Sequence, residues 1–108
     1  MSSAQDFLPL QTAAFHILVA LAGGSRHGYA VMKEAGLNPG TLYTTIKRLL
    51  EDELIRETQP PAGADSTDER RRYYSITPLG RRVARAEVLR LRGLIDHAAA
   101  KLCGERAG

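Results

Sequence analysis

A group of hydroxyl and cationic side chains lies within one short stretch of the chain, between residues 38 and 52. Its members are Thr41, Tyr43, Thr44, Lys47 and Arg48. Such groups can donate hydrogen bonds to phosphate oxygens and to the edges of nucleobases. A second cationic group, placed further along the chain, consists of Arg70, Arg71 and Arg72. The pattern predicts binding to a polyanion.

Other reactive residues are sparse. Cys103 is the only cysteine, and His16, His27 and His97 are scattered, so neither a disulfide nor a metal-ligand spacing is present. The sequence also lacks a glycine-rich phosphate loop and a nucleophile, base and acid set. We therefore expect no metal, no cofactor and no enzymatic activity.

Composition is that of one globular domain. The 108 residues are 44% hydrophobic and 25% charged, with a net charge of +3. Residues 1–69 carry 5 basic and 9 acidic groups, which gives −4, whereas residues 70–108 carry 10 and 3, which gives +7. This asymmetry favours a polyanionic partner. The longest apolar run is too short to span a bilayer, so we expect a cytoplasmic protein without a membrane partner.

Glycines and N-cap signals divide the first half of the chain into three helices. An almost wholly apolar helix is predicted over residues 9–22, where a glycine pair stops it. A shorter helix then ends at residues 35–36. Asn38 is a good N-cap and Pro39 a good first helical residue, so a third helix is predicted over residues 39–52.

The third helix is predicted to be amphipathic. At 100° per residue, one face is apolar and consists of Leu42, Ile46, Leu49 and Leu50. The opposite face is polar and consists of Gly40, Thr41, Thr44, Lys47, Arg48 and Glu51. The cationic and hydroxyl side chains are thus expected to face away from the core.

A hairpin with a long tip is predicted next. Residues 54–59 read as a strand, and residues 60–69 are rich in Pro, Ala, Gly, Asp, Ser and Thr, which predicts a loop. Residues 70–76 alternate and contain aromatic and β-branched side chains, which predicts the second strand.

A long helix is expected to complete the chain. Thr77 and Pro78 form an N-cap and first-turn pair, and the helix can continue to about residue 103. Its apolar residues recur at spacings of four and three, as in a helix that packs against another helix: Ala84, Val88, Leu91, Ile95, Ala98 and Leu102. We call these six residues the seam. A domain this small has nothing else to cover them, so dimerisation is predicted.

The apolar first helix is assigned to the same interface through Phe15 and Leu18. A helix that is apolar almost all round needs packing partners on several sides, and a second chain can supply one of them. The alternative is that this helix is simply central in the core of its own chain.

The predicted order of elements is typical of a winged helix-turn-helix: mainly α, with a two-stranded β-wing and a long C-terminal helix. Residues 1–77 form the expected winged-helix domain, and residues 78–108 the dimerisation helix. The chain also contains, in this order, His-Gly-Tyr at 27–29, Pro-Gly-Thr-Leu-Tyr at 39–43, Lys-Arg-Leu at 47–49, and Arg-Tyr-Tyr at 72–74 followed by Thr77 and Gly80. Through this ordered set of motifs the chain resembles the PadR family.

The resemblance implies a homodimeric, sequence-specific repressor whose third helices enter successive major grooves of a pseudo-palindromic operator. Together with the helical pattern, it assigns DNA contacts to Thr41, Tyr43, Thr44, Lys47 and Arg48. It also places Arg70, Arg71 and Arg72 behind the wing, where they would meet DNA. Any small-molecule effector is left unidentified, and no aromatic residue follows Tyr74 to build a stacking site on the C-terminal helices.

A winged-helix module for protein-protein interaction, without specific DNA binding, is the alternative function because fold alone does not determine function. The chain departs from the family pattern in a short connection before Pro39, in the acidic residues Asp65, Asp68 and Glu69 at the tip of the wing, and at the end of the third helix. Glu53 stands where a glycine commonly ends the third helix, which leaves the geometry of the following turn open.

Overall fold

The computed structural model describes residues 3–60 and 72–104. The chain begins with a short 3-10 helix, Ala4–Phe7. The remaining elements are α1 (Thr12–Leu21), β1 (Arg26–His27), α2 (Gly28–Ala35), α3 (Pro39–Glu51), β2 (Ile55–Thr58), β3 (Tyr73–Ile76) and α4 (Pro78–Leu102). This order confirms the winged helix-turn-helix with a long C-terminal helix.

The wing belongs to a three-stranded antiparallel sheet in the order β1-β3-β2. Ile55 on β2 pairs with Ile76 on β3, and His27 on β1 pairs with Tyr73 on the other edge of β3. The sequence predicted only β2 and β3. It missed β1 because a strand of two residues has no alternation to detect.

Helix α1 lies at the centre of the core. It starts at Thr12, three residues later than the sequence predicted. Before it lies the 3-10 helix, where the Ser3 amide donates to Oδ2 of Asp6 at 3.0 Å. Its buried side consists of Ala14, Ile17, Leu18, Ala20 and Leu21. The opposite side is open, since Val19 is 49% exposed. The same core contains Val31, Leu42, Ile46, Leu49, Leu54, Ile55, Tyr74, Ile76 and Val83.

The connection between α2 and α3 is short and locally determined. Gly36 ends α2 in the left-handed region, with φ 69°, which glycine adopts without steric cost. Oδ1 of Asn38 then accepts a hydrogen bond of 2.8 Å from the Thr41 amide, and Pro39 occupies the first turn of α3. The predicted start of the third helix is therefore confirmed.

The turn that ends α3 is closed by backbone hydrogen bonds although it lacks the usual glycine. Glu53 has a φ of 61°, the left-handed conformation that a glycine would adopt more easily. The Leu54 amide donates to the Leu49 carbonyl at 3.0 Å, and the Glu53 amide donates to the Leu50 carbonyl at 3.1 Å. The geometry left open by the sequence is thus that of a glycine-type turn.

The first turn of α4 packs directly against the backbone that follows this turn. A methyl group added at Gly80 would lie 2.1 Å from the Leu54 carbonyl oxygen and 2.9 Å from Cγ1 of Ile76. The Thr77 amide donates to the same Leu54 carbonyl at 3.1 Å. The Thr77 hydroxyl donates to the Glu53 carbonyl at 2.8 Å and accepts from the Gly80 amide at 2.9 Å. Only glycine fits at position 80.

The middle of α4 holds a buried acidic side chain. The Arg90 guanidinium binds the Glu87 carboxylate in a bidentate manner, with Nε to Oε1 at 2.7 Å and Nη2 to Oε2 at 2.9 Å. This hydrogen bonding holds the pKa of the Glu87 carboxyl below its usual range, although burial alone would raise it. The pair therefore stabilises the fold above the unfolded carboxyl pKa of about 4.3. That stabilisation is lost as the pH falls through the lower folded value.

We predict that Gly80→Ala lowers the free energy of unfolding by about 3 kcal/mol, because the new methyl group meets a backbone carbonyl that cannot move without displacing β2. Gly93→Ala is the matched control. Nothing lies within 4 Å of a methyl group at Gly93, so this variant should gain about 1 kcal/mol of helix propensity. Urea unfolding of both variants checks the prediction. A Gly80→Ala protein as stable as the wild type would refute the close contact.

Candidate nucleic-acid interface

Helix α3 buries one face and leaves the other open, as the sequence predicted. Its buried side consists of Leu42, Thr45, Ile46 and Leu49. Thr45 was not predicted on this side, and its hydroxyl donates to the Thr41 carbonyl at 2.7 Å, which satisfies a polar group within the helix. With its apolar face packed in the core, α3 holds its outward face in a defined orientation.

The outward face presents Thr44, Lys47 and Arg48 as one patch. These side chains are three and four residues apart and therefore neighbours on a helix, and all three are exposed. Within residues 3–60 and 72–104, neither cation takes part in an ion pair or a side-chain hydrogen bond. Unpaired cations beside a hydroxyl can approach a phosphate or a base edge without first breaking an intramolecular contact.

Tyr43 lies at the edge of this patch, where α3 meets the start of α2. It is 54% exposed. A methyl group at Gly28 would be 3.7 Å from a Tyr43 ring carbon and 3.8 Å from the Tyr43 hydroxyl, which is ordinary contact. The same methyl group would lie 3.8 Å from a carbon of the Tyr74 ring. Burial raises the pKa of the Tyr74 phenol, which therefore stays neutral at physiological pH.

His27 caps the start of α2 and packs against β3. Its Nδ1 accepts a hydrogen bond of 3.1 Å from the Ala30 amide, which caps the start of α2. Its ring meets the Tyr73 ring edge to face, with centroids 5.4 Å apart. These contacts give His27 a structural role at the start of α2.

Two exposed residues of α2, which were not predicted as DNA contacts, form an aromatic-cation pair. Tyr29 follows Gly28 and is half exposed, and Nζ of Lys33 lies 5.4 Å from the centroid of the Tyr29 ring. Tyr29 belongs to the His-Gly-Tyr motif at 27–29, but no motif marks its contact with Lys33.

Of the three arginines predicted behind the wing, the structure describes Arg72. Arg70 and Arg71 lie outside the described residues. Arg72 is exposed, and its guanidinium pairs across the hairpin with Oε1 of Glu57 at 3.2 Å. The positive charge of Arg72 is therefore partly compensated, unlike that of Lys47 and Arg48.

The predicted dimer residues fall into three groups. Leu18 is 0% exposed within its own chain, so its assignment to an interface is wrong: its side chain fills the core between α1 and its neighbours. Phe15, Ala84 and Val88 are half-buried. In the distal part of the seam, Ile95 is 63% exposed and Leu102 75% exposed, whereas Leu91 and Ala98 are half-buried.

In the part of the chain that the structure describes, no cluster of three or more His, Cys, Asp or Glu side chains could hold a metal ion. None of the helices there combines the length and apolar character needed to cross a membrane.

The winged helix-turn-helix and the exposed polar face of α3 define a DNA-binding transcriptional regulator. The model of the transcriptional regulator PadR-like family matches residues 17–86, which is more than half of the chain. The chain therefore belongs to the PadR-like family. No curated protein sequence matches it.

Solved structures share the fold. A PadR family transcription regulator from Clostridium difficile R20291 is 22% identical with a TM-score of 0.71, over 84% of this chain and 97% of that one. The PcaV transcriptional regulator from Streptomyces coelicolor is 22% identical with a TM-score of 0.77, over 92% and 70%. BpsR of Bordetella bronchiseptica, whose DNA binding is regulated by 6-hydroxynicotinic acid, is 26% identical with a TM-score of 0.70, over 95% and 78%.

Proposed function

We propose that this regulator is a homodimeric repressor that reads a pseudo-palindromic operator through α3. The observation that carries the proposal is the patch of Thr44, Lys47 and Arg48, which is exposed and unpaired on a helix whose other face is anchored in the core. A helix held in this way can enter a major groove with its side chains already oriented. The repressing sign of regulation rests on the resemblance to PadR proteins.

The individual side chains have separate roles in this proposal. Lys47 and Arg48 neutralise phosphates or bind base edges, and arginine is suited to bidentate contact with guanine. Thr41 and Thr44 supply hydroxyl groups, and Tyr43 adds a phenol at the edge of the patch. Arg70, Arg71 and Arg72 contact the DNA backbone behind the wing, with Arg72 the weakest of the three because Glu57 competes for its guanidinium.

The second subunit covers the distal seam. Leu91, Ile95, Ala98 and Leu102 form an apolar stripe on the part of α4 that projects beyond Glu87, the last fully buried residue of this helix. Burial of such a stripe against a copy of itself removes exposed apolar surface from water at both chains. Phe15, Ala84 and Val88, which are half-buried, continue this surface towards α1.

A small-molecule effector is also part of the proposal. The DNA binding of BpsR, which shares this fold, is regulated by 6-hydroxynicotinic acid. We expect the DNA affinity of this chain to respond to a small ligand in the same general way.

We predict that Lys47→Ala and Arg48→Ala each weaken operator binding by about tenfold without unfolding the protein, because both side chains are exposed and unpaired. Lys47→Ala should also lower the slope of log affinity against log salt by about one if the lysine contacts a phosphate. Fluorescence anisotropy with duplex DNA at several salt concentrations measures both quantities.

The matched control is Lys101→Ala, which also removes one positive charge. Lys101 lies in the last turn of α4, about 30 Å from Gly80 in the first turn of that helix. Its DNA affinity should equal that of the wild type. Equal losses of DNA affinity in all three variants would show that binding depends only on the net charge of the protein. Unchanged affinity in both α3 variants, or binding that does not respond to salt, would instead favour the protein-interaction module.

For the dimer, Ile95→Asp should shift the protein to a monomer, because it places an unpaired charge in the apolar seam. Ala100→Asp is the control on the opposite face of the same part of α4. Light scattering distinguishes the two, and a full dimer in the Ile95→Asp protein would show that the subunits associate elsewhere.

A further inference from the structure

One side of α4 carries arginines that neither the core nor the proposed DNA and dimer contacts use. Arg82, Arg85 and Arg92 are exposed there, and Leu89 lies among them with 66% of its surface exposed. We call these four residues the outer face. At about 100° per residue, its arginines lie within about 60° of Leu89 around the helix, whereas every seam residue lies about 100° or more away. Pairing of two chains through the seam therefore leaves the outer face open.

The arginines of the outer face are not paired within residues 3–60 and 72–104, where none of them takes part in an ion pair or a side-chain hydrogen bond. The neighbouring Arg81 differs, because its guanidinium donates to the Ala22 carbonyl at 3.0 Å. Asp96 lies on the same side of α4, one turn beyond Arg92, yet the described residues contain no ion pair between these two side chains. Three arginines and one aspartate leave this side of the helix with a charge of +2. The outer face therefore attracts carboxylates.

An apolar groove borders the outer face, between α4 and the chain that precedes α1. Its volume is about 510 Å³, it is open to solvent, and it is lined by Gln5, Leu8, Pro9, Ala86, Leu89 and Arg90. Arg90 is held at the rim by its bidentate pair with Glu87. Leu89 belongs both to the groove and to the outer face. An apolar side chain that packs on Leu89 thus has unpaired arginines on either side of it.

This combination favours a protein segment over nucleic acid. A DNA backbone uses cations and hydrogen-bond donors, and it would leave the groove and Leu89 uncovered. A peptide can supply an apolar side chain for the groove together with carboxylates, which bind guanidinium groups through two parallel hydrogen bonds. A contact between two copies of the outer face would oppose arginines to arginines, which is unfavourable.

The spacing of the outer face matches a helical partner. Arg85, Leu89 and Arg92 follow one another at intervals of four and three residues, so the two arginines lie two turns, about 10.5 Å, apart along α4. A helix that lies along α4 presents two carboxylates at the same distance when its acidic residues are seven positions apart. An apolar residue three or four positions after the first acidic residue then faces Leu89.

We propose that the outer face and its groove bind a helical segment of another protein, with two acidic residues seven positions apart and a large apolar residue between them. The apolar side chain packs on Leu89, and the carboxylates pair with Arg85 and Arg92. The regulator then has a protein partner in addition to DNA, on a surface separate from the α3 patch and from the seam. This inference goes beyond the proposed function and does not require DNA binding.

The test begins with selection by the full-length protein from a phage library of random peptides of about 16 residues, long enough for four helical turns. The wild type should enrich peptides with the acidic and apolar spacing given above, and Leu89→Asp should not retain them. A synthetic peptide of the enriched sequence is then compared with an analogue that has Gln in place of both acidic residues. Fluorescence anisotropy should show the analogue binding about tenfold more weakly, because it loses two ion pairs.

Variants of the protein locate the binding surface. Arg85→Ala and Arg92→Ala should each weaken peptide binding by about threefold, since exposed ion pairs contribute modestly. Leu89→Asp should weaken it by at least about tenfold, because it removes the apolar contact and repels the acidic residues. Leu94→Asp is the matched control: it places the same charge at another exposed leucine of α4, about 140° around the helix from Leu89, and should bind the peptide as the wild type does.

Several outcomes would overturn this proposal. They are the enrichment of no common peptide, equal affinity for the acidic peptide and its Gln analogue, and equal peptide affinity in Leu89→Asp and wild type. A Leu89→Asp protein that becomes monomeric in light scattering would assign the outer face to a second copy of the chain. Arg85→Ala and Arg92→Ala proteins that lose DNA affinity as Arg48→Ala does would assign it to DNA.

The proposed function is tested independently of this surface. Lys47→Ala and Arg48→Ala should bind the acidic peptide as the wild type does, because α3 takes no part in the outer face. A protein that binds the peptide through Leu89 but never binds DNA specifically would overturn the proposed function and leave the docking surface in place.

Discussion

The close approach of Gly80 to the Leu54 backbone is the contact on which the rest of the architecture depends. Leu54 follows the turn that ends α3 and precedes β2, and its carbonyl accepts the Thr77 amide at the start of α4. Because no side chain separates Gly80 from this carbonyl, α4 starts at a fixed position relative to α3. The angle between the polar face of α3 and the apolar seam of α4 is therefore determined in one subunit before any partner binds. In the proposed dimer, the same contact sets the spacing of the two α3 helices.

The buried polar side chains have hydrogen-bond partners within the chain, whereas two of its exposed surfaces do not have a partner there. Within the described residues, every buried side-chain nitrogen and oxygen atom has a hydrogen-bond partner, and even the buried Glu87 is fully paired with Arg90. The cations on α3 are not paired, and the distal seam is not covered. These open surfaces have different chemistry, one suited to a polyanion and the other to an apolar helix. A regulator that binds DNA as a dimer needs both, and it needs them at a defined angle.

Much of the fold could be predicted because it is encoded locally. Asn38 with Pro39, and Thr77 with Pro78, mark helix starts through side-chain caps and a fixed proline φ. The two faces of α3 follow from the period of 3.6 residues. Features that depend on tertiary packing escaped prediction: the role of Leu18 in the core, the two-residue β1, and the Arg72 to Glu57 pair. The periodicity of α1 shows that Leu18 is apolar, but it does not show whether its own chain or another one covers it.

The central claim is that two copies of α3, held at a fixed spacing, read DNA together. Selection of bound duplexes from a random-sequence pool tests it most directly, because it assumes nothing about the operator. The account predicts enrichment of an inverted repeat whose half-site centres lie about 10 base pairs apart, or a multiple of that spacing. Recovery of no common sequence, or of a single half-site without its repeat, would contradict it.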